Sequence, residues 1–194
     1  MKYFILFLTA LLFAGMTACG DSTDGLLGDI SPDTESQVIE KEIDGIAFKF
    51  CLLNRQGEPA TVFNEGDNIV FSFSFKNNLK DNISIPTQFI NENFYRVYGN
   101  NNTDMGKAWT GTWCLFVMQT KIIELPAHET KELNCPWLYS EVFKVDYPLC
   151  KGGDNNPLSK GEYFTSLHFD FVYTVDGKQK SIENVNLNIN FKIQ

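Results

Sequence analysis

The chain has 194 residues, with 24 acidic against 16 basic side chains and a formal net charge of −8 at pH 7. This balance argues against nucleic-acid binding and against electrostatic docking on anionic lipid headgroups, because both would repel an acidic chain. Most of its 17 phenylalanines follow residue 18, and they supply the hydrophobic core of one domain.

The first nineteen residues carry the pattern of an export signal. A basic start at residues 1–3 precedes an apolar run at residues 4–14, and small residues then lead to Cys19. The apolar run is shorter than the roughly 20 residues that a membrane-spanning helix needs. We therefore expect residues 1–18 to be a cleaved signal peptide.

The sequence GMTAC at residues 15–19 resembles the lipobox of bacterial lipoproteins. In that family signal peptidase II cuts before the cysteine, whose thiol carries a diacylglycerol and whose amino group is usually acylated. The resemblance implies that Cys19 holds the protein in a membrane, since two or three acyl chains give stable anchoring. The residue after the cysteine is Gly20 rather than an aspartate. By resemblance to the lipoproteins of Gram-negative bacteria, this implies delivery to the outer membrane, on its periplasmic side or at the cell surface.

Residues 19–39 are predicted to be an acidic flexible tether. From residue 20 onward this segment has five acids, no base, three glycines and one proline. Such a composition cannot build a core, and a flexible chain of this length reaches about 25 Å. Residues 40–194 then form the domain.

Alternating apolar and polar side chains predict strands along this domain. Ile69–Phe75, Tyr163–Tyr173 and Val185–Ile193 each place apolar residues on one face, and Asp176-Gly177 predicts a tight hairpin between the last two. Seven or eight strands of this kind predict an all-β fold, an antiparallel sandwich. Further predicted strands are Ile43–Leu53, Phe89–Tyr98, Trp113–Leu125 and Glu129–Cys135.

Tyr163 follows the turn Leu158–Glu162 at the start of its strand. It resembles the tyrosine corner of immunoglobulin-like sandwiches, in which the hydroxyl bonds to upstream backbone. The order of NEGDNIVFSFSFKNN, LPAHET and KGEY is similar to that of intracellular proteinase inhibitor-like Ig domains of bacterial exported proteins. The resemblance spans about residues 60–175 and implies an Ig-like β-sandwich. The chain lacks the Cys–Trp–Cys arrangement of true immunoglobulin domains, so inhibition is not carried over with the fold.

Four cysteines follow Cys19, and an even number in an exported domain predicts two disulfides with three possible pairings. Cys135 and Cys150 bracket an insertion between predicted strands. We therefore expect a Cys135–Cys150 bridge, which leaves Cys51–Cys114. No CxxC motif and no zinc-type Cys/His spacing occurs, which argues against a redox or metal role.

No catalytic or nucleotide-binding motif occurs in the sequence, and we predict no enzyme activity, cofactor or metal site. Ser166, His168 and Asp170 fall on one face of one strand, where successive side chains are about 7 Å apart, too far for a triad. Acid- and amide-rich loops could offer oxygen ligands to calcium, but such residues are also typical of turns. These loops are residues 64–68, 100–104 and 154–156.

The aromatic residues between positions 109 and 147 are the best candidates for ligand contact, since Trp and Tyr suit both sugar rings and protein interfaces. Trp113 is expected in the core. For Trp137, Tyr139 and Tyr147, which lie in the insertion, packing of the insertion on the sandwich is an equally good interpretation. The asparagines from Asn184 to Asn190 could hydrogen-bond sugar hydroxyls, but a solvent-exposed strand face is the simpler interpretation. The predicted contacts are Trp109, Trp137, Tyr139 and Tyr147.

These patterns predict a lipid-anchored protein of the outer membrane or cell surface that binds an envelope protein or a glycan without catalysis. The alternative is a proteinase inhibitor, which the Ig-domain resemblance suggests.

Overall fold

The computed structural model describes residues 27–30, 37–114, 121–139, 142, 144–153 and 155–194. The predicted signal peptide and Cys19 lie outside them. In the described part of the chain, no helix is long and apolar enough to cross a membrane. Strands dominate these residues, and 3₁₀ turns occur at Thr87–Phe89 and Asn100–Asn102.

The strands are numbered in chain order. They are β1 (Leu27–Ile30), β2 (Val38–Ile43), β3 (Ile46–Leu53), β4 (Val62–Phe63), β5 (Val70–Asn77), β6 (Ile83–Pro86), β7 (Arg96–Gly99), β8 (Thr103–Lys107), β9 (Gly111–Thr112), β10 (Ile122–Leu125), β11 (Thr130–Pro136), β12 (Leu149–Cys150), β13 (Gly161–Val175) and β14 (Lys178–Ile193). They outnumber the seven or eight predicted, because strands of two to four residues such as β4, β9 and β12 are too short to show alternation.

The larger sheet is built on the long antiparallel pair of β13 and β14. Its order is β1-β14-β13-β6-β10, and β7 also pairs with β13 and with β8. On the other edge of β14, β1 and β4 both run parallel to it, at Asn186–Ile189 and at Lys192–Ile193. β14 is therefore paired on both sides over Asn186–Ile189 and Lys192–Ile193, whereas its first half has only β13 as a described strand partner.

The second sheet has the order β11-β5-β3-β2 with antiparallel neighbours. In an immunoglobulin-like sandwich, strands A, B and E share one sheet and C, F and G share the other. Here β3, β5 and β11 take the places of A, B and E. Strands β13 and β14 take the places of F and G. Strands β6 and β7, which both pair with β13, share the place of C. The predicted Ig-like all-β fold is confirmed.

The core between the sheets is phenylalanine-rich, as predicted. The apolar face of β5 is fully buried, and Phe73 meets Phe169 of the opposite sheet with 5.6 Å between ring centroids. Phe48 meets Phe171 in the same way at 5.1 Å. Edge-to-face rings from facing sheets interdigitate and add about 0.5–1.5 kcal/mol per pair beyond the area they bury.

The two predicted local motifs are confirmed. The Tyr163 hydroxyl donates to the Ser159 carbonyl at 2.8 Å, which is the tyrosine corner. Asp176 and Gly177 have φ of 50° and 69°, the paired positive values that a two-residue hairpin needs. Asp44-Gly45 makes the same turn between β2 and β3, so the strand predicted over Ile43–Leu53 is split there.

One other predicted strand is largely wrong. In Phe89–Tyr98 only β7 is a strand, because Phe89, Phe94 and Tyr95 fill the core from irregular backbone. The Tyr95 hydroxyl donates to the Leu133 carbonyl of the opposite sheet, which fixes this segment. Residues 115–120 of the strand predicted over Trp113–Leu125 lie outside the described residues, and β10 forms its last four residues.

Part of the predicted flexible tether belongs to the sheet. Leu27–Ile30 pairs with β14 as strand β1, and Ile30 is buried in the core. Val38 and Ile39, at the other end of that segment, already lie in β2. The composition of residues 19–39 did not indicate this, because acids and glycines at neighbouring positions outweigh one short apolar stretch.

Buried Asn77 ties together the turns at one end of the sandwich. Its side-chain amide donates to the carbonyls of Asp81 at 2.8 Å and Pro126 at 3.2 Å. The β13–β14 turn lies at the same end, which we call the hairpin end. At the opposite end, the far end, the Glu65 amide donates to the carbonyl of Gln194.

Replacing Tyr163 by phenylalanine is expected to lower the free energy of unfolding by about 1 kcal/mol. The change removes the hydroxyl that bonds the Ser159 carbonyl and leaves the ring in place. Tyr98→Phe is the matched control, because that hydroxyl makes only an exposed contact of 3.4 Å with Asn93. Urea unfolding of both variants measures the difference. Equal losses of unfolding free energy would mean that the bond between Tyr163 and Ser159 does not stabilise the fold.

Candidate functional site

The insertion predicted between Cys135 and Cys150 lies between β11 and β13, and it holds three of the four predicted ligand contacts, Trp137, Tyr139 and Tyr147. Part of it pairs with the stretch around β9, since β12 and β9 form a separate two-stranded sheet. The Thr110 amide donates to the Cys150 carbonyl, and the Trp113 amide donates to the Pro148 carbonyl, both at 2.8 Å. The insertion therefore returns to a defined place on the sandwich.

A disulfide joins Cys114 to Cys150 beside this small sheet. The predicted bridges Cys135–Cys150 and Cys51–Cys114 are therefore both wrong. Cys51 pairs with Ser72 and Cys135 with Phe71 on neighbouring strands of one sheet, so the two remaining thiols lie on opposite faces of that sheet. The β9–β12 pairing, which sequence alternation could not show, decides the partner of Cys150.

The two free thiols are structural. The Cys135 thiol donates to the Ala108 carbonyl at 3.3 Å, and burial raises its pKa to about 12 even with the Lys151 ammonium nearby. Burial also raises the pKa of Cys51. A thiol nucleophile needs a lowered pKa and exposure, so neither cysteine has the setting of a reactive one.

Trp109 is not available for ligand contact. It is 5% exposed, and its indole N–H donates to the Phe94 carbonyl. The Lys107 ammonium lies 3.7 Å from the ring centroid and also pairs with Glu92 at 2.8 Å. The prediction of contact here is therefore wrong, because the ring is used by the core and by this cation–π pair.

Trp137 is also part of the core. It is 2% exposed, packs on Phe71, and donates its indole N–H to the Asn156 carbonyl at 2.8 Å. Its own carbonyl accepts from the Lys151 ammonium at 2.8 Å. Of the two interpretations for this residue, packing of the insertion on the sandwich is the correct one.

Tyr147 and Trp113 form a half-exposed aromatic pair. Tyr147 is 39% exposed, and its ring meets Trp113 edge to face at 4.8 Å. The indole N–H of Trp113 donates to the Thr87 hydroxyl at 3.1 Å. Trp113 is thus half-buried beside the disulfide and outside the core, which corrects its predicted place.

Among the described residues of the insertion, Tyr139 and Val142 are the most exposed large hydrophobic side chains, at 67% and 81%. The backbone just before them is fixed, because Asn68 accepts from the Leu138 amide at 2.9 Å and donates to its carbonyl at 3.0 Å. We call Tyr139, Val142 and Tyr147 the loop surface. The sequence did not indicate that Val142 is exposed, since a single valine in a loop is equally expected to be buried.

Asp146 fixes the insertion between these exposed positions and the disulfide. Its carboxylate accepts from the Asn134 amide at 2.7 Å, and its own amide donates to the Asn134 carbonyl at 2.9 Å. This pair of bonds attaches the loop to the edge of β11. The described backbone beside Tyr139 is therefore held by Asn68, and that beside Tyr147 by Asp146 and the disulfide.

Several of the residues considered for catalysis or for calcium make other hydrogen bonds. The Ser166 hydroxyl lies 3.2 Å from the Asn186 amide oxygen, and Asp170 accepts from the Asn184 amide at 2.9 Å. In the loop 64–68, Asp67 accepts from Asn64 in a turn. Across the described residues, no group of three or more His, Cys, Asp or Glu side chains is placed to hold a metal ion.

Comparison with protein-family models finds no match to this chain. Comparison with curated proteins also finds none.

Proposed function

We propose that this protein is a lipid-anchored, non-catalytic binding module that captures an envelope protein through its loop surface. The observation that carries the proposal is the exposure of Tyr139, Val142 and Tyr147, together with the bonds that hold the backbone at Leu138, beside Tyr139, and at Asp146, beside Tyr147. Backbone that is already held loses little conformational entropy on binding, and aromatic side chains are the commonest interface anchors.

A protein partner is favoured over a glycan by what the loop offers. Stacking of sugar rings needs open aromatic faces. The indoles of Trp109 and Trp137 are buried, and one side of Tyr147 is taken by Trp113. Val142, the most exposed of the three side chains, offers a branched apolar group that suits a protein pocket.

Membrane attachment rests on the lipobox at residues 15–19. Acylation of Cys19 would place the domain at the membrane and concentrate it beside other envelope proteins. Incorporation of labelled palmitate into the wild-type protein but not into a Cys19→Ala variant would support this part, and equal or absent incorporation in both would contradict it.

The loop surface is tested by site-specific photocrosslinking on intact cells. A crosslinker at Tyr139 is expected to give one reproducible adduct, which the same group at Ile122 does not give. Ile122 is the matched control, since it is 40% exposed and lies on β10. Adding Tyr147→Ala is expected to lower the adduct yield about tenfold, as for an interface anchor.

Two results would overturn this assignment. The same adduct from both positions would mean that contact is not specific to the loop. Binding of a glycan that Tyr139→Ala abolishes would replace the protein partner with a sugar. If the captured protein is a proteinase whose activity this chain inhibits, and reduction of the disulfide abolishes inhibition, the inhibitor alternative is correct.

A further inference from the structure

The direction of β1 decides from which side the chain enters the sandwich. Leu27 pairs with Asn186 and Ile30 with Ile189, so β1 runs parallel to β14. The lower-numbered part of β14 leads to the β13–β14 turn at the hairpin end. The chain therefore enters β1 from the hairpin side.

The length of chain between Cys19 and Leu27 limits the distance to the membrane. Eight residue steps separate these positions and span at most about 28 Å. Along β14, the same number of steps from Asn186 back to Lys178 covers about 27 Å. A lipid on Cys19 thus reaches about as far as the hairpin end, and it cannot hold the domain far from the bilayer.

The hairpin end carries three lysines around a cleft of about 410 Å³. Lys178 and Lys180 come from the start of β14, and Lys80 comes from the β5–β6 turn opposite. All three are exposed. Asp81 and Asp176 also line the cleft, and the exposed Asp44 lies in the adjoining β2–β3 turn, so these three lysines are matched by three acids in a chain whose net charge is −8.

The far end carries charges of both signs, since Arg55 follows β3 and Lys160 precedes β13 at this end. Glu65 and Asp67 lie in the turn beside Gln194. The same end holds Asn68, which fixes Leu138, so Tyr139 of the loop surface lies toward the far end. Contact of the hairpin end with a bilayer would leave this part of the loop facing away from the lipid.

We propose that the hairpin end is the membrane-facing end of the domain, with Lys80, Lys178 and Lys180 against the phosphates of the lipid headgroups. The inference rests on the lipid anchor of the proposed function. The net negative charge of the chain does not oppose this contact, because salt screens charges that lie more than about 10 Å apart. The headgroups therefore interact with the nearby lysines more strongly than with acids in distant parts of the domain.

The orientation is tested with the full-length lipidated protein in phosphatidylcholine vesicles that contain a minority of phosphatidylglycerol. A fluorophore is attached at Gln179→Cys on the hairpin, or at Glu65→Cys at the far end. Both positions are exposed, whereas Cys51 and Cys135 are buried. Nitroxide-labelled headgroups are expected to quench the fluorophore at position 179 and to leave the one at position 65 unchanged.

The role of the lysines is tested in the Gln179→Cys protein. Changing Lys80, Lys178 and Lys180 together to glutamate is expected to lower the quenching by about half or more, because the headgroups then repel this end. The matched control changes three exposed basic residues elsewhere and gives the same total charge. These are Arg55, Lys121 and Lys160.

The outcomes separate this inference from the proposed function. Protein that does not float with the vesicles would overturn the lipid anchor, and the orientation would be lost with it. Floating protein with equal or stronger quenching at position 65 would overturn the orientation alone. Quenching at position 179 that the lysine changes leave intact, or that the control changes reduce equally, would overturn the headgroup contact of the lysines.

Discussion

Replacing both Cys114 and Cys150 by alanine is expected to lower the free energy of unfolding by about 3–4 kcal/mol. The bond joins residues separated by 36 positions, and opening a loop of this size restores that much entropy to the unfolded chain. A domain of this size has a total stability of about 5–15 kcal/mol, so a large share is at stake. Urea unfolding with and without reductant measures the loss.

The reductant supplies the control for this prediction. Reduced wild-type protein should unfold at the urea concentration of the double variant, and the double variant itself should not respond to reductant. The single variants Cys114→Ala and Cys150→Ala should each match the double variant, since either change removes the same bond. A reductant-sensitive double variant would mean that Cys51 and Cys135 are bonded after all.

Replacing Phe73 by alanine is expected to lower the free energy of unfolding by about 3–5 kcal/mol, the range for deleting a buried aromatic ring. Phe73 is fully buried. Its ring lies 5.9 Å from that of Phe94 and 5.6 Å from that of Phe169, so its removal opens a cavity at the centre of the sandwich. Thermal and urea unfolding of the variant measure the effect.

Ser74→Ala is the matched control for Phe73→Ala. Ser74 is the next residue of β5, but it points to the outer face of the sheet, opposite Glu132 of β11. A surface change of this kind is expected to stay within about 0.5 kcal/mol of wild type. Comparable losses of stability for the two variants would contradict the assignment of Phe73 to the buried face of β5 and of Ser74 to its outer face.

Alternation predicted the long strands because each has one buried and one wet face. The alternating face of β5 around Phe73 and that of β14 around Leu187 are both fully buried in the structure. The tyrosine corner at Tyr163 was predictable for a similar reason, since its bond to Ser159 spans only four residues. Local signals therefore fix the centre of the fold.

The site was predicted less well, because burial in loops depends on distant partners. Trp137 is buried by contact with Phe71, and Trp109 by its bond to Phe94. No periodic pattern records such contacts. Tyr139 was predicted as a ligand contact and is exposed, but nothing in its neighbours distinguished it from Trp137 before the structure was known.

The disulfide was missed for a related reason. Proximity in the chain favoured Cys135 as the partner of Cys150, although Cys135 belongs to a strand face that points into the core. The partner, Cys114, is brought to Cys150 by the two-residue strands β9 and β12. Strands this short leave no trace in the sequence pattern.

The pairing of β1 with β14 has a consequence for the order of folding. Leu27 meets Asn186, so the first described strand must wait for the last strand of the domain before it can form its hydrogen bonds. Contacts between distant parts of a chain carry a large loop-closure cost, and sandwiches dominated by them fold in milliseconds to seconds. During synthesis, Leu27–Ile30 therefore stays unpaired with β14 until β14 has emerged, and the larger sheet is completed only then.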